Sequence, residues 1–369
     1  MRFVAEQPAL ARALQLTNRI VSPQNTLPAL AGILVNAETD HVTLSATDLT
    51  SQIQTQVPAV VEEPGATVLP GATFTDLIQR VPTAEVRIEE TVGEGPATVQ
   101  YGRNRTLLQS MAAAEMPPFP AADVSATDFV LSPGTLARLA RQTLFACARD
   151  ESRPILKGVQ LTLGDGKLVA VSTDGTRLSH AWTAIPELRG DPVNMVLAAR
   201  GLQEAARIAG SEAVAVVVGP KQIRFATAGV ALTTLLLEGR FPDYQRVLPE
   251  GFVSEVVMPT AAFRGALERV NLIAQREHGA PVRIRHQPGV LEISTQALDV
   301  GQAYEVLEVE SGGETLELSF NPALLLDAVK SLESEDMVLE LAGSQAPARF
   351  RERGQSQYFH IVLPLRQLV

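Results

Sequence analysis

An internal repeat constrains this 369-residue chain more than any other feature. One helical phrase recurs as ALARAL at 9–14, TLARLA at 135–140 and AFRGAL at 262–267. A second recurs as LSATDL at 44–49, VSTDGT at 171–176 and EISTQA at 292–297, and a third as VLPGATFTDLIQRV at 68–81, VLAARGLQEAARIA at 196–209 and SFNPALLLDAVKSL at 319–332. Because the phrases keep their order and spacing, we predict three copies of one unit, each the size of an ordinary independent domain.

Proline-bearing stretches separate the copies. EMPPFPAADVSATD (115–128) and GRFPDYQRVLPEGF (239–252) both contain a Phe-Pro pair. Proline lacks a backbone donor and restrains the residue before it to extended conformations, so both stretches are predicted to be linkers or extended edges. The predicted domains are therefore residues 1–123, 124–250 and 251–369.

Local patterns indicate the fold class of one unit. Leu10, Leu14 and Val21 recur at helical spacing, which is typical of an amphipathic helix. The segment LTSQIQTQV (49–57) alternates in the way of a half-buried strand, and the Asp-Gly pair in LGDGKL (163–168) is a hairpin signal. We predict an α+β fold in which each repeated domain has two short helices on antiparallel sheets.

Composition narrows the class of protein further. The single Cys147 excludes a disulfide framework and fits a reducing cytosol. No stretch approaches the roughly 18 apolar residues needed to span a bilayer, and the N-terminus lacks the pattern of an export signal. A soluble cytoplasmic protein is therefore expected.

The middle copy raises the question of catalysis. Its Thr-Asp pair is followed by Arg177 and His180, whereas the first copy has Thr47 and Asp48 without either. Since the pair occurs in a copy that lacks them, we interpret it as turn chemistry, with the side chains bonding nearby backbone amides. The alternative is a repeat-built hydrolase that uses Asp174, Arg177 and His180.

Other signs of enzyme chemistry are weak. The histidines are His41, His180, His278, His286 and His360, and they form no metal-ligand spacing. Cys147 falls on the apolar side of a helix, as a small core residue does. GDGK is too short for a phosphate-cradling loop. We predict a protein that is not an enzyme and has no catalytic residues, no metal and no cofactor.

Charge is segregated along the chain, whose net charge is −10. The first helices of the three copies, predicted at 9–21, 135–149 and 262–276, contain eight arginines and one acid, Glu268. Solvated helix faces normally mix both signs, so these helices indicate a basic surface that faces a polyanion while the rest of the protein repels it. No base-reading module is visible, which leaves sequence-specific DNA binding unsupported.

Five phrases resemble those of a known family. They are NTLPAL (25–30), ATDL (46–49), STDGTRL (172–178), EGRFPDYQRVLP (238–249) and VLPLR (362–366). Together and in this order they resemble, over the whole chain, the β sliding clamp of bacterial DNA polymerase III. The resemblance implies three clamp domains per chain and two chains that close head to tail as a homodimeric ring around duplex DNA.

The resemblance also implies a function and partners. The protein is expected to tether the replicative polymerase to DNA and so confer processivity, without catalysis of its own. Its expected partners are duplex DNA without sequence specificity, a second copy of itself, and the polymerase III catalytic subunit, the clamp loader and other polymerases or repair proteins, which dock through short apolar peptide motifs. It is expected to be nucleoid-associated in the cytoplasm and not at a membrane. A scaffold of this fold that never encloses DNA is the remaining alternative.

The family's sites can be carried over residue by residue. The implied peptide-binding pocket comprises Leu156, Thr173, Gly175, Arg177, Leu178, Pro242, Arg246, Val247, Ile361, Leu363, Pro364, Leu365 and Arg366. The implied DNA-facing pore comprises Arg12, Arg19, Arg80, Arg138, Arg141, Arg149, Arg200, Arg207, Arg264, Arg269, Arg276 and Lys330. The implied dimer interface comprises Leu107, Leu108, Leu272 and Ile273. In the pocket, Arg177 and Arg246 are expected to hydrogen-bond peptide carbonyls at the rim.

Overall fold

The computed structural model describes residues 1–22, 27–90, 95–120, 127–276 and 280–365. Within these ranges each third of the chain contains nine strands and two α-helices. Neighbouring strands pair antiparallel. The predicted α+β class, with two short helices to each repeat, is confirmed.

Each third begins with a strand and a helix, and its second helix follows after four more strands in the first third and after five in the other two. The first contains β1 (Arg2–Glu6), α1 (Gln7–Thr17), β2 (Gly32–Ala37), β3 (His41–Thr47), β4 (Ser51–Glu63), β5 (Gly65–Pro70), α2 (Gly71–Arg80), β6 (Glu85–Glu89), β7 (Ala97–Tyr101), β8 (Asn104–Leu108) and β9 (Met111–Ala112). The middle contains β10 (Thr127–Leu131), α3 (Thr135–Thr143), β11 (Gly158–Gly164), β12 (Lys167–Thr173), β13 (Arg177–Ala184), β14 (Leu188–Arg189), β15 (Val193–Ala198), α4 (Ala199–Ala209), β16 (Val214–Val218), β17 (Gln222–Thr227) and β18 (Val230–Leu235). The last contains β19 (Ser254–Pro259), α5 (Thr260–Ala274), β20 (Val282–Gln287), β21 (Val290–Ala297), β22 (Gly301–Glu308), β23 (Glu310–Gly313), β24 (Leu316–Phe320), α6 (Pro322–Lys330), β25 (Asp336–Leu341), β26 (Ala348–Glu352) and β27 (Tyr358–Val362).

The first helices end earlier than the sequence predicts. The Thr17 and Thr143 hydroxyls, at the ends of α1 and α3, donate to the carbonyls of the residues four positions earlier, at 2.9 and 2.6 Å. Such bonds compete with continuation of the helix. Arg19, Arg149 and Arg276 follow the three first helices instead of lying on them, although α5 has no equivalent hydroxyl bond among the described residues.

The chain folds into two compact units. The first comprises Met1–Ala137, Glu187–Asp191 and Arg200–Leu236, and the second the remaining segments. The division differs from the three predicted domains because β18 of the middle third pairs with β4 of the first, while β27 of the last third pairs with β13 of the middle. The predicted boundary at 123 lies outside the described residues, and the three-domain division stays a prediction.

The first unit is built on one fourteen-stranded sheet, whose main path runs β14-β10-β16-β17-β18-β4-β1-β6-β7-β8. Strand β4 alternates as predicted, with Ser51, Ile53 and Thr55 buried. Helices α1 and α2 pack together, and their Leu14 and Phe74 side chains are fully buried in the core. This core anchors α1 and α2, the helices that carry the basic side chains described below.

The second unit contains two sheets. The nine-stranded sheet runs β15-β11-β12-β13-β27-β26-β25-β19-β23, and the four-stranded sheet runs β22-β21-β20-β24. The predicted hairpin joins β11 and β12, with Asp165 and Gly166 at φ +50° and +70° as a tight Asp-Gly turn requires. None of the described helices in either unit is long and apolar enough to cross a membrane.

Candidate functional site

The Thr-Asp phrase forms the same turn in the first and middle thirds of the chain. The Asp48 carboxylate accepts the N–H groups of Thr50 and Ser51 at 3.0 and 2.8 Å, and the Thr47 hydroxyl accepts the N–H of Leu49 at 3.0 Å. The equivalent side chains of the middle third accept the equivalent N–H groups at 2.9, 3.1 and 3.0 Å. The interpretation of this phrase as turn chemistry is confirmed.

The residue after the aspartate distinguishes the two turns. Leu49 has φ +72°, and Gly175 has φ +93°. Only glycine occupies this left-handed region without strain. The Arg153 guanidinium lies 3.1 Å from the position that a Cβ on Gly175 would take, and it donates to the Asp174 carbonyl at 2.9 Å. Glycine therefore allows Arg153 to lie flat against the turn of the middle third.

Arg177 is buried between two carboxylates. Its Nε donates to Asp174 at 2.9 Å and its Nη1 to Asp327 of α6 at 2.7 Å, while the guanidinium lies 5.5 Å from the ring centre of Phe145. The side chain is only 6% exposed. The sequence predicts that Arg177 donates to a peptide at the rim of the pocket. Its guanidinium is instead bonded to Asp174 and Asp327, and it is a buried structural residue beneath the pocket.

A cleft with a volume of about 160 Å³ opens beside this arginine, and we call it the Arg177 cleft. It is lined by Arg153, Leu156, Thr173, Gly175, Arg177, Leu178, Pro242, Asp243, Tyr244, Val247, Ile361 and Leu363. Leu156, Leu178 and Ile361 are buried in one apolar cluster, whereas Val247 and Leu363 are 51% and 39% exposed. Buried aliphatic walls beneath an open mouth suit the apolar anchor of a binding partner.

The linker residues of the predicted pocket divide between the cleft and solvent. Tyr244–Val247 is a 3₁₀ turn, in which residues three apart lie on the same side. Tyr244 and Val247 therefore both line the cleft. Arg246 does not line the cleft but is 84% exposed and paired with Asp243 at 2.9 Å, and its role as a rim donor stays a prediction.

The tail contributes less to the cleft than the resemblance implies. Ile361 and Leu363 line it, but Pro364 and Leu365 do not. The Leu365 N–H instead donates to the Ser319 carbonyl at 2.7 Å. Arg366, also predicted for the pocket, lies outside the described residues.

Three lining residues are not among those predicted from the sequence, namely Arg153, Asp243 and Tyr244. The quoted linker phrase contains Asp243 and Tyr244, and a 3₁₀ period applied to it would have placed Tyr244 with Val247. Arg153 carries no local signal, because its position depends on the glycine turn twenty-two residues later. The 3₁₀ period of the linker and the contact of Arg153 with the glycine turn are both geometric features, and composition does not reveal them.

The hydrolase alternative finds no catalytic arrangement. Asp174 and Arg177 neutralise each other, and the His180 ring stacks on Phe359 with centroids 4.6 Å apart. Burial lowers the pKa of His180 to about 4 and raises the pKa of the Cys147 thiol to about 12. Both groups are therefore neutral near pH 7. Within the part of the chain that the structure describes, no group of His, Cys, Asp and Glu could hold a metal ion.

Carboxylates on the second helices and turns pair with several of the predicted pore arginines in the first unit. Arg19 and Arg207 donate to the two oxygens of Glu204 at 2.6 and 2.7 Å, and the Glu204 side chain is only 7% exposed. Arg200 pairs with Asp48 at 3.0 Å. The shortage of acids thus applies to the first helices alone, since second helices and turns supply the counter-charges.

Two more of the first unit's predicted pore residues lie on helix surfaces. Arg12 is exposed, and its Nε donates to the Pro8 carbonyl at 3.3 Å. Arg80 is 72% exposed and lies 3.6 Å from Asp76 on the same helix. A phosphate could reach both guanidinium groups.

The second unit pairs its basic residues in a similar way. Arg269 forms a two-point pair with Glu305 at 2.8 and 2.6 Å, and Arg141 pairs with Glu333. Burial and the neighbouring Arg141 lower the pKa of Arg138. The remaining predicted residues are Arg149, Arg264, Arg276 and Lys330, all exposed, with Arg264 3.3 Å from Glu268.

The predicted dimer residues differ in exposure. Leu107 and Leu272 are 58% and 60% exposed, Ile273 is half-buried, and Leu108 is 5% exposed within the core of the first unit. Leu107 and Leu272 are thus available to a partner, whereas the Leu108 side chain is already used for packing.

Comparison with known proteins covers the whole chain. Models of the N-terminal, central and C-terminal domains of the DNA polymerase III beta subunit match residues 1–120, 130–243 and 245–366. A beta sliding clamp of Caulobacter vibrioides is 30% identical over 99% of this chain and 100% of its own. The chain also resembles the crystal structure of the DNA polymerase III subunit beta from Pseudomonas aeruginosa, with 29% identity, a TM-score of 0.95 and full coverage of both chains. A sliding clamp from that organism bound to griselimycin gives a TM-score of 0.92 at 29% identity, also with full coverage.

Proposed function

Because the chain belongs to the family of DNA polymerase III beta subunits, we propose that two copies close head to tail into a ring around duplex DNA. The family function is that of a DNA sliding clamp, which makes the polymerase processive. The clamp is an accessory subunit and not the catalytic one. DNA, polymerase and a second copy of the chain are therefore its partners, and the proposal concerns how this chain meets each of them.

Consecutive repeats are joined by a pair of antiparallel strands, which we call an internal joint. Two internal joints support head-to-tail closure. In the first unit, β18 of the middle third pairs with β4, with Thr234 opposite Ser51. In the second unit, β27 of the last third pairs with β13, with Val362 opposite Arg177. Ser51 and Arg177 are equivalent, because each lies four residues after the threonine of its Thr-Asp pair. The same joint therefore occurs twice: the last main strand of one repeat pairs with the strand after the Thr-Asp turn of the preceding repeat.

Both halves of a third joint are present and unpaired, and this observation carries the proposal. β8 is the first repeat's equivalent of β18 and β27, and β22 is the last repeat's equivalent of β4 and β13. Within the described residues β8 pairs only with β7, and β22 only with β21. Exposed strand edges are templates for pairing with another chain. Pairing β8 of one copy with β22 of another repeats the internal joint and closes a two-fold dimer.

The side chains at the two edges are complementary. Arg105 on β8 is exposed, and so is Arg103 just before it, whereas β22 carries the exposed Glu308. Leu107 beside the arginines is largely exposed. Opposite charges across strands and an apolar contact favour this pairing over the pairing of two identical edges.

The basic residues support non-specific contact with DNA. Several pore candidates pair with Glu204, Asp48 or Glu305, and these carboxylates weaken their attraction for phosphate. A ring does not need strong attraction to the phosphates, because a closed ring cannot leave the duplex that it encloses. Weak contacts with phosphates alone permit sliding. Such a protein works with DNA in the cytoplasm, at the nucleoid.

The Arg177 cleft supports docking of partner peptides. Its buried aliphatic floor fits a leucine or aromatic side chain, and its exposed rim residues Val247 and Leu363 can cover that anchor. We assign to it the short apolar motifs of the polymerase III catalytic subunit, the clamp loader and other polymerases or repair proteins. The rim donor for peptide carbonyls is Arg153, since Arg177 is committed to its two carboxylates.

Sedimentation of matched variants tests the ring. The wild-type protein is expected to have about twice the chain mass of 39.5 kDa. Leu107→Glu should give monomers, because it places a charge beside the proposed strand pairing. Val130 on β10 is 59% exposed and lies outside this edge, so Val130→Glu is the matched control and should stay dimeric. A monomeric wild type, or a dimer that tolerates both changes equally, contradicts the proposed closure.

A further inference from the structure

One acidic residue occupies the same position on each second helix. The third repeated phrase places Asp76, Glu204 and Asp327 in register on α2, α4 and α6. A series of this kind allows the environment of one member to be predicted from the other two.

Two members of the series bind an arginine of the preceding repeat. Glu204 of the middle third accepts from Arg19 of the first third at 2.6 Å. Asp327 of the last third accepts from Arg177 of the middle third at 2.7 Å. Each pair lies inside one unit and accompanies an internal joint. The acid on a second helix is therefore part of how one repeat holds the repeat before it.

Asp76, the first member, has only half of this arrangement. Its side chain is 65% exposed, and within the described residues its ion-pair partner is Arg80 on its own helix. This reproduces the contact of Glu204 with Arg207 on α4. Among the described residues, no arginine of another repeat pairs with Asp76.

The equivalent arginine stands at the other end of the chain. Helix α1 ends at Thr17, its cap residue is Asn18, and Arg19 follows. The Asn18 N–H donates to the carbonyl of the residue four positions earlier, and the Arg19 N–H donates to the carbonyl three positions earlier. Helix α5 ends in the same way, with Arg276 following its cap residue and making the same two backbone bonds. Helix α5 has 15 residues and α1 has 11, so α5 is about one helical turn longer. A whole extra turn leaves Arg276 on the same side of its helix as Arg19.

Arg276 is available for such a contact. Its side chain is exposed, and within the described ranges no carboxylate pairs with it. Arg269, the other basic residue near this end of α5, is committed to Glu305 at 2.6 Å. Among the described residues, Arg276 is therefore the unpaired counterpart of Arg19.

We propose that Asp76 of one copy pairs with Arg276 of a second copy, as Glu204 pairs with Arg19. Asp327 shows that a second-helix acid can also hold an arginine from another position of the preceding repeat, namely Arg177 at the start of β13. This inference rests on the head-to-tail ring proposed above. It assigns to the subunit joint an ion pair between α2 and the end of α5, in addition to the pairing of β8 with β22. In a two-fold dimer the contact occurs twice, so its effect on the dissociation constant is doubled in free energy.

A charge-reversal cycle tests the pair, with the dimer dissociation constant measured by dilution. Asp76→Arg and Arg276→Asp should each raise the constant roughly tenfold or more, and the double variant should return it to within about threefold of the wild type. Glu212→Arg, an exposed reversal outside the joint, is the control for net charge and should have no effect. Thermal unfolding of each variant establishes that the exposed changes leave folding intact.

The outcomes separate the two proposals. A monomeric wild type would reject the ring itself. A dimeric wild type in which either single reversal dimerises normally would reject the ion pair and leave the ring standing. A double variant no tighter than its weaker parent would also reject the pair, because both changes would then act independently.

Discussion

The Arg177 guanidinium donates to the Asp327 carboxylate at 2.7 Å and joins the start of β13 to helix α6. The two residues are 150 positions apart in sequence. Arg177 also holds its own turn through Asp174 at 2.9 Å, so one buried cation connects the turn, the helix and the wall of the Arg177 cleft. A single ion pair thus supports both a joint between repeats and the candidate docking site.

Removing the charge of Asp327 should destabilise the protein. Asp327→Asn leaves Arg177, only 6% exposed, with one carboxylate in place of two. The asparagine oxygen can still accept a hydrogen bond but carries no charge, and weakening the bond to the buried cation should lower the free energy of unfolding by about 1–3 kcal/mol. Urea unfolding measures it, with Asp243→Asn as control, because Asp243 pairs with an arginine that is 84% exposed. Equal midpoints for the two variants would show that the buried pair contributes no more than a surface pair.

Peptide binding should distinguish Val247 from its neighbour Arg246. Val247→Ala removes two methyl groups from the lining of the cleft and should weaken a leucine- and phenylalanine-containing peptide roughly tenfold. Arg246→Ala should change the affinity little, because that side chain does not line the cleft. Fluorescence anisotropy with a labelled peptide measures both. The opposite ranking would place the peptide outside the Arg177 cleft.

Stability should fall as the pH decreases below about 6.5, in part through His360. Burial, with the nearby Arg177 charge, lowers the pKa of this histidine to about 3. The unfolded imidazole takes up its proton near pH 6.5, so between these values the unfolded state binds more protons and gains relative stability as the pH falls. One such group contributes at most about 1.4 kcal/mol per pH unit.

A matched pair of histidine variants isolates this contribution. His360→Phe should flatten the dependence of the urea midpoint on pH between about 6.5 and 4. The pKa of His41 is raised, mainly by a hydrogen bond to Asp40, so its stabilisation is present at low pH and is lost as the pH rises. His41→Gln should therefore not flatten the profile. Parallel profiles for the wild type and His360→Phe would show that His360 is charged in the folded protein.

Arginines without a carboxylate partner should dominate the salt dependence of DNA binding. Among the described residues, Arg12 and Arg149 are exposed and unpaired with any acid. Each alanine substitution should reduce the slope of log affinity against log salt by up to about 0.9, the value for one lost phosphate contact. Arg189→Ala, an exposed change outside the predicted pore, should leave the slope unchanged. Identical slopes for all three variants would remove Arg12 and Arg149 from the DNA-facing surface.

Much of the fold could be predicted because the repeat recurs in the sequence itself. The spacing of Thr47 and Thr173 identifies equivalent turns, and both form the same hydrogen bonds. Apolar periodicity places the helices. It does not fix their ends, because Thr17 and Thr143 terminate α1 and α3 through side-chain bonds that periodicity cannot register.

The candidate site was less accessible to sequence reasoning, because its geometry depends on distant partners. The resemblance placed Arg177 in the pocket as a donor at the rim. Nothing near Arg177 in the sequence indicates its pairing with Asp327, which makes it a buried structural residue instead. Arg246 was assigned to the pocket by its linker, yet the 3₁₀ turn directs it to solvent. The sequence therefore identified most residues of the cleft, but the role of each side chain depends on contacts with residues distant in the sequence.

Retention on DNA tests the central claim most directly. The purified protein, loaded onto nicked circular duplex DNA and separated from free protein by gel filtration, should stay bound as a dimer at a salt concentration that abolishes simple charge attraction. Cutting the circle once should release it, because only the closed path of the DNA holds a ring that slides. Equal loss from circular and linear DNA would contradict the ring.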